Sequence, residues 1–359
     1  MESRAPRPRP ASPFRAFVAL LLLLVGLAGC REAREDGAAA AAQAAPEAAA
    51  DDGPLLLYSG RSRELTAPLL ERFERRSGIG VEVRWGGSAE LAAALVAEGT
   101  ATPADLFLSQ GAAPLGGLSR KGLLHELPDE LVRGVPAQFA GSEQKHDWAG
   151  LSGRARAVLY DPAATRPELL PRSLEELGDP RHRGRFGLAP GQPSFQAQMA
   201  AYRVLHGEEA LDELLARVHA NEPRLYASEE EVLRAVASGE AAWGLVEHVL
   251  PARAEAEGVG GRVALHFMDG QGAAFVDVAA IGVLSSDPRA LELVRFLLDE
   301  EAQDQFAERA HEYPLARGTG PDSGLPPLEG LRAPRLDFAD VAAVLEETGR
   351  ALRRHGLAV

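Results

Sequence analysis

The chain has one cysteine in 359 residues, Cys30. A lone thiol cannot close an internal disulfide, so its chemistry has to be sought elsewhere. Long apolar runs are missing too: Ala16–Ala28 is shorter than the roughly 20 residues a spanning helix needs. Basic charge is scarce, with 38 Lys and Arg against 52 Asp and Glu and a net charge of −14. That balance argues against nucleic acid as a partner and says nothing about the fold. No P-loop, GxSxG elbow, dinucleotide fingerprint or HxxxH pair is present, and no nucleophile is spaced with a base. An enzyme is therefore not expected.

The amino terminus holds a distinctive pattern. Arg4, Arg7, Arg9 and Arg15 precede the apolar run, which ends in Leu27-Ala28-Gly29-Cys30. This resembles a bacterial lipoprotein signal, with residues 1–29 removed and Cys30 lipidated. The alternative is an ordinary signal peptide that happens to contain a cysteine. Loss of residues 1–29, which carry one acid and four bases, takes the charge to about −17. Residues 30–53 are alanine-rich with almost no bulky apolar side chain, and read as a flexible tether. The remainder, from Pro54, is long enough for two lobes.

Its first part alternates strand and helix. Leu55–Tyr58 is an apolar strand, Ser62 is placed to cap a helix with the face Leu65, Leu69 and Phe73, and Gly78 ends it. Pro68 fits such a helix only in its first turns. Val81–Trp85 and Ala104–Leu108 read as further strands, with a helix carrying Leu91, Leu95 and Val96 between them. Alternation at this pitch predicts parallel βαβ units, with the turns at Arg61/Ser62, Gly86–Ser88 and Ser109–Gly111 facing one crevice. Trp148–Ser152 and Arg156–Tyr160 read as two strands either side of Gly153-Arg154. Ser173–Leu177 is predicted as a capped helix, Gly184–Leu188 as a strand, and Ser194–Leu205 and Leu211–His219 as helices. Ser228 and Glu231 form a capping box ahead of a helix stopped by Gly239. Ala241–Val246 is then a buried strand, with Glu247 and His248 just past its end. Val263–Met268 and Ala274–Leu284 are strand-like, Arg289–Arg309 and Ala339–His355 helical, and Gly318–Pro334 a surface wrap. Arg181, His182, Arg183 and Arg185 read as a solvated run.

Several stretches together are similar to the periplasmic ferric-iron-binding proteins of ABC importers. They are YSGR (58–61), PADLF (103–107), LSGRARAVLY (151–160), Ser194–Phe195, GEAAWGLVEH (239–248), GVLSS (282–286) and EYPL (312–315). The resemblance implies an α/β, two-lobed type II solute-binding fold with a hinge of crossing strands near Arg154 and Ile281. Lobe 1 would comprise 54–154 and 279–330, and lobe 2 would comprise 155–278 and 331–359. The family's usual iron donors do not carry over. Its paired tyrosines fall on Val249 and Leu250, its first-turn histidine or tyrosine on Ser62, and its acidic ligand on Gln110. The five tyrosines here are scattered.

The candidate ligand-binding residues are accordingly Arg61, Ser62, Gln110, Arg154, Ser194, Glu229, Glu247 and His248. Arg61 and Arg154 each follow Ser-Gly, and a forked guanidinium there suits a carboxylate or phosphate. For Arg154 the competing expectation is an ion pair between lobes. Glu247 and His248 could ligate a metal, or simply end a strand; Glu229 to Glu231 are first-turn acids, of which Glu229 matches a cleft-facing family position. The expected function is a monomeric, lipid-anchored, periplasmic receptor that delivers a small ligand to an ABC permease and its ATPase. Iron, an iron chelate, another metal ion or an organic anion all stand as cargo, and no resident cofactor is required. The alternative is a lipoprotein that presents its ligand to a membrane sensor.

Overall fold

The computed structural model describes residues 53–141, 145–256, 258, 262–269, 274–316 and 325–358. Cys30, the signal segment, the tether up to Asp52 and part of Gly318–Pro334 lie outside the described residues. Strands β1 (Leu55–Ser59), β2 (Val81–Trp85) and β3 (Leu106–Ser109) lie parallel in the order β2-β1-β3. Helices α1 (Arg63–Ser77) and α2 (Ser88–Glu98) connect them, and α3 (Ala112–Arg120) and α4 (Asp129–Val132) follow. Gly78 closes α1 in the left-handed region at φ 76°, where a residue without Cβ is unstrained. Ser62 occupies the N-cap position of α1, but its hydroxyl makes no capping bond, and Pro68 lies inside the helix. On α2, Leu91 and Leu95 are buried whereas Val96 is exposed.

The next strand departs from the sequence expectation. Instead of two strands about a Gly-Arg turn, β4 (Trp148–Tyr160) is a single buried strand. Gly153 and Arg154 lie in its middle, because each has a partner across the sheet. A Cβ on Gly153 would sit 2.9 Å from Val276 Cγ1, and Arg154 is registered opposite Asp277.

Beyond β4 come β5 (Phe186–Leu188), α5 (Pro193–His206), α6 (Glu208–Ala220), β6 (Arg224–Leu225), α7 (Glu229–Ala237) and β7 (Trp243–Glu247). Next follow α8 (Leu250–Ala256), β8 (Ala264–His266) and β9 (Val276–Val283). The expected helix within 173–177 is a 3-10 turn at Glu175–Gly178. Half of the expected capping box forms: the Ser228 hydroxyl accepts from the Glu231 N–H, while the Glu231 carboxylate accepts from the Ala227 N–H, one residue before the cap. His182 is buried edge-on against Trp243 and so leaves the solvated run. The long helix expected over 289–309 is two, α9 (Pro288–Leu297) and α10 (Glu300–Ala310), because Asp299 caps the second by accepting from the Ala302 N–H. Strand β10 (Tyr313–Pro314) and helix α11 (Phe338–Arg354) complete the chain.

One sheet joins all strands in the order β2-β1-β3-β9-β4-β7-β5-β6, with β8 and β10 pairing onto β4. The outer pairs are parallel, whereas β3–β9, β9–β4 and β4–β7 are antiparallel. Strands β4 and β9 therefore cross between two parallel half-sheets. Along β4, residues Trp148–Ala155 pair with β9 and Arg156–Tyr160 with β7, so the hand-over falls beside Arg154. Apolar side chains of both half-sheets bury in separate clusters, one around Leu57, Leu69 and Ile281 and another around Phe186, Trp243 and Leu245.

Helix α11 lies on α3 at the small residue Gly116. A Cβ there would meet the Ala339 backbone N at 2.5 Å, whereas one on Gly117 would meet only the Ala342 Cβ at 3.7 Å. Gly116→Val is expected to destabilise the fold by about 1–3 kcal/mol through overpacking. Gly117→Ala is expected to be neutral or to gain up to about 1 kcal/mol of helix propensity. Denaturant titration of both variants checks the contrast, and equal losses would contradict this packing.

Candidate ligand-binding site

The three turns that follow β1, β2 and β3 meet as the βαβ pattern requires. The Ser88 hydroxyl accepts from the Gln110 N–H at 2.9 Å. Gly60 lies so close that a Cβ would be 2.0 Å from the Ser88 Oγ, which explains glycine at this position. Ser62 is exposed, and Gln110 is half-buried. The Gln110 carbonyl, rather than its side chain, makes the described contact with Arg154.

Arg154 is a junction. Its Nε donates to Glu247 at 2.9 Å, and its Nη2 donates to the Gln110 carbonyl at 2.6 Å and to Asp277 at 3.1 Å. Its Nη1 lies 3.7 Å from Glu312. The guanidinium thus ties the end of β3 to the start of β9 and the end of β7. Burial alone would lower its pKa, but Glu247, Glu312 and Asp277 outweigh that and raise it.

Glu312, fully buried just before β10, holds a second arginine. Arg61 Nη2 donates to both of its carboxylate oxygens, at 2.9 and 3.1 Å. The Ser152 hydroxyl donates to it as well, and Arg253 Nη2 approaches at 3.3 Å. Arg61 is packed over the Phe306 ring at 5.1 Å and donates through Nη1 to Ser152. Burial pushes the Glu312 carboxyl up, yet Arg61 and Arg154 hold it down at about 2. Burial pushes the Arg61 guanidinium down, and Arg154 adds to the effect.

A third arginine completes the network. Arg156, two residues along β4 and on the same face as Arg154, pairs with Glu229 and donates to Ser194 and Gln198. Glu229 in turn accepts from the Glu247 N–H at 2.7 Å. Burial raises the Glu229 carboxyl against the pull of Arg156. Six of the eight sequence candidates, Arg61, Gln110, Arg154, Ser194, Glu229 and Glu247, therefore belong to one network. Glu312, Asp277, Ser152, Arg156 and Arg253 were missed. The Arg154/Arg156 spacing of two was the signal for Arg156, while Glu312 stood unexamined inside EYPL.

The remaining candidates lie apart. His248 is buried, with Nδ1 accepting from the Ala155 N–H and its ring 4.9 Å from Tyr313. Burial pushes its pKa down to about 4. With Glu247 bound to Arg154, this pair gains no third donor: among the described residues no three His, Cys, Asp or Glu are grouped to hold a metal. Val249 and Leu250 are buried. The phenols of Tyr58, Tyr226 and Tyr313 donate to Glu98, Glu240 and the Pro326 carbonyl.

Glu312→Gln is expected to cost about 3–5 kcal/mol near neutral pH, because it strands buried guanidinium charge. The folded pKa lies below the unfolded one. Its stabilisation is therefore complete above the ordinary glutamate range and disappears as pH falls toward 2. The difference between wild type and variant should shrink over that acid window, as measured by urea titration at stepped pH. A constant difference would contradict the charge account.

The comparisons agree with this architecture. The family described as bacterial extracellular solute-binding protein matches residues 55–309. The major ferric iron-binding protein of Neisseria meningitidis is 30% identical over 310 residues, covering 84% of this chain and 93% of its own. The Fe(3+)-binding periplasmic protein of Serratia marcescens is 29% identical over 304 residues, covering 83% and 89%. The crystal structure of iron-bound HitA from Pseudomonas aeruginosa superposes with a TM-score of 0.76 at 32% identity, covering 85% of this chain and 99% of that one. With its α/β sheet and crossing strands β4 and β9, the chain has the type II solute-binding fold and belongs to the periplasmic ferric-iron-binding protein family of bacterial extracellular solute-binding proteins.

Proposed function

We propose that this chain is the solute receptor of an ABC importer, held at a bacterial membrane in the periplasm by lipid on Cys30. The observation that carries the reading is the convergence of three strand-end turns on the Arg154 junction, the position at which open α/β sheets take ligands. Relatives named for ferric iron support iron as the cargo class. The lobes are 54–154 with 279–330 and 155–278 with 331–359, hinged on β4 and β9. Ligand enters between them, and the closed receptor, a monomer, is what the permease and ATPase recognise. Ser62, Gln110, Glu247 and the Gly86–Ser88 turn supply the ligand's hydrogen bonds.

Iron reaches this site with its own donors. Ferric iron is a hard cation that favours phenolate and carboxylate oxygens. Val249 and Leu250 offer none, and the nearby carboxylates are engaged by arginine. A preformed complex, or a different small solute, fits such a site better than a bare ion.

Two measurements test the receptor reading. Cys30→Ser should leave unprocessed precursor without lipid label, while wild type partitions into detergent; label on the variant would remove the anchor. A bound solute should raise the melting temperature by linkage and shrink the scattering radius. A saturating solute that leaves the radius unchanged would rule out hinge closure.

A further inference from the structure

Among the described residues, five arginines lie over aromatic rings. Arg61, Arg76, Arg84 and Arg156, over Phe306, Phe296, Tyr58 and Phe195, each pair with a carboxylate as well. Arg63 is the exception. Its guanidinium lies 5.3 Å from the centre of the Trp85 ring, and no described carboxylate pairs with it. Glu64 and Glu90 stand exposed in the first turns of α1 and α2, and neither forms an ion pair with Arg63. Packing leaves Trp85 equally unexplained. Trp148 and Trp243 are buried in the apolar clusters, whereas Trp85 is half-buried and belongs to none of them.

The pair stands where the first two strand-end turns meet. Trp85 ends β2 opposite Ser59, and Arg63 opens α1 directly after the turn at Arg61/Ser62. Space is open beside them: a Cβ on Gly87 would meet nothing nearer than the Glu90 Cβ at 4.0 Å. The Ser62 hydroxyl is exposed on the same lip and makes no capping bond. An indole face, a guanidinium without a counter-charge and a free hydroxyl suit a flat conjugated ring that bears a negative group. A protein-docking patch would instead gather several exposed apolar side chains. The exposed large ones, Val96, Leu169 and Leu205, lie singly on α2, the Pro167–Leu169 turn and α5.

We propose that Arg63 and Trp85 form a stacking platform at the lobe 1 edge of the crevice, selecting solutes whose recognised part is an aromatic carboxylate. The proposal rests on the reading of this crevice as the solute site and adds the chemical class of the solute. The ring lies against the indole–guanidinium stack, and its carboxylate takes charge from Arg63 and a hydrogen bond from Ser62. Arg63 and Trp85 are thus specificity-determining residues beside the turns that supply the other hydrogen bonds.

The test uses the full chain in detergent, with benzoate as the probe and cyclohexanecarboxylate as a non-planar acid of equal charge. Benzoate should change the tryptophan fluorescence saturably, because Trp85 alone of the three tryptophans is not buried. By calorimetry it should bind about fivefold more tightly than cyclohexanecarboxylate, the scale of an aromatic contact beyond its burial. Trp85→Ala should lose both the fluorescence response and the preference, while Trp85→Phe should keep the preference and lose the response. Arg63→Gln should weaken benzoate binding. Equal affinity for the two acids, or a preference that survives Trp85→Ala, would overturn the proposal. Unchanged benzoate binding in Trp85→Ala, with loss of binding to importer-containing membranes, would overturn it in favour of a docking contact. Scattering with ferric citrate separates the two readings. Contraction of wild type and Trp85→Ala alike, alongside equal affinities for the two acids, removes the platform alone. No contraction and no binding of either acid removes the receptor reading with it.

Discussion

The structure depends on how three arginines, Arg61, Arg154 and Arg156, are kept charged where water is excluded. An isolated guanidinium in such a place would cost several kcal/mol, and paired charges repay that cost only with close geometry and full hydrogen bonding. Here the counter-charges come from four separate elements: α7, the end of β7, the start of β9 and the residue before β10. The requirement explains local features that otherwise look arbitrary. Strand β4 runs unbroken through Gly153-Arg154 because Arg154 must face Asp277 across β9. The short β10 pairs with Ser152 and Gly153, which puts Glu312 within reach of both Ser152 and Arg61.

The same network shapes the site. A receptor that coordinates a bare ferric ion exposes unpaired oxygen donors in its cleft. This chain buries Val249 and Leu250, turns His248 toward Ala155 and Tyr313, and gives Glu229 and Glu247 to arginine. The strand-end turns that define a solute site in this fold are kept, while the charges around them are settled internally.

Much of this was legible from local pattern. Periods of two and 3.6 placed β1, α1, β2, α2 and β3, and the Ser228–Glu231 spacing located α7, because these signals come from residues a few positions apart. What failed was long-range. Gly153-Arg154 looked like a turn because glycine before a charge usually is one; its reason, contact with Val276 and Asp277, lies 123 residues away in sequence for the arginine. Arg61 was seen as a free anion grip because Glu312 is 251 residues distant. The break between α9 and α10 carries no Gly or Pro; it is made by Asp299, whose capping preference was overlooked in an otherwise helical run. The fold was therefore readable, and six of the eight candidate residues fall in one charged network, while Glu312, Asp277, Ser152, Arg156 and Arg253 escaped notice. The pairing within that network was not readable, since complementary charge leaves no periodic trace.

The account's central claim is that this fold receives its solute without protein donors for a bare ferric ion. The most direct measurement is a visible-absorbance titration of the full chain with ferric citrate, with bound iron counted by elemental analysis after desalting. Tyrosinate bound to ferric iron gives a charge-transfer band, and the account predicts no band and no iron bound as the bare ion. An intense band with one iron retained per chain would contradict it.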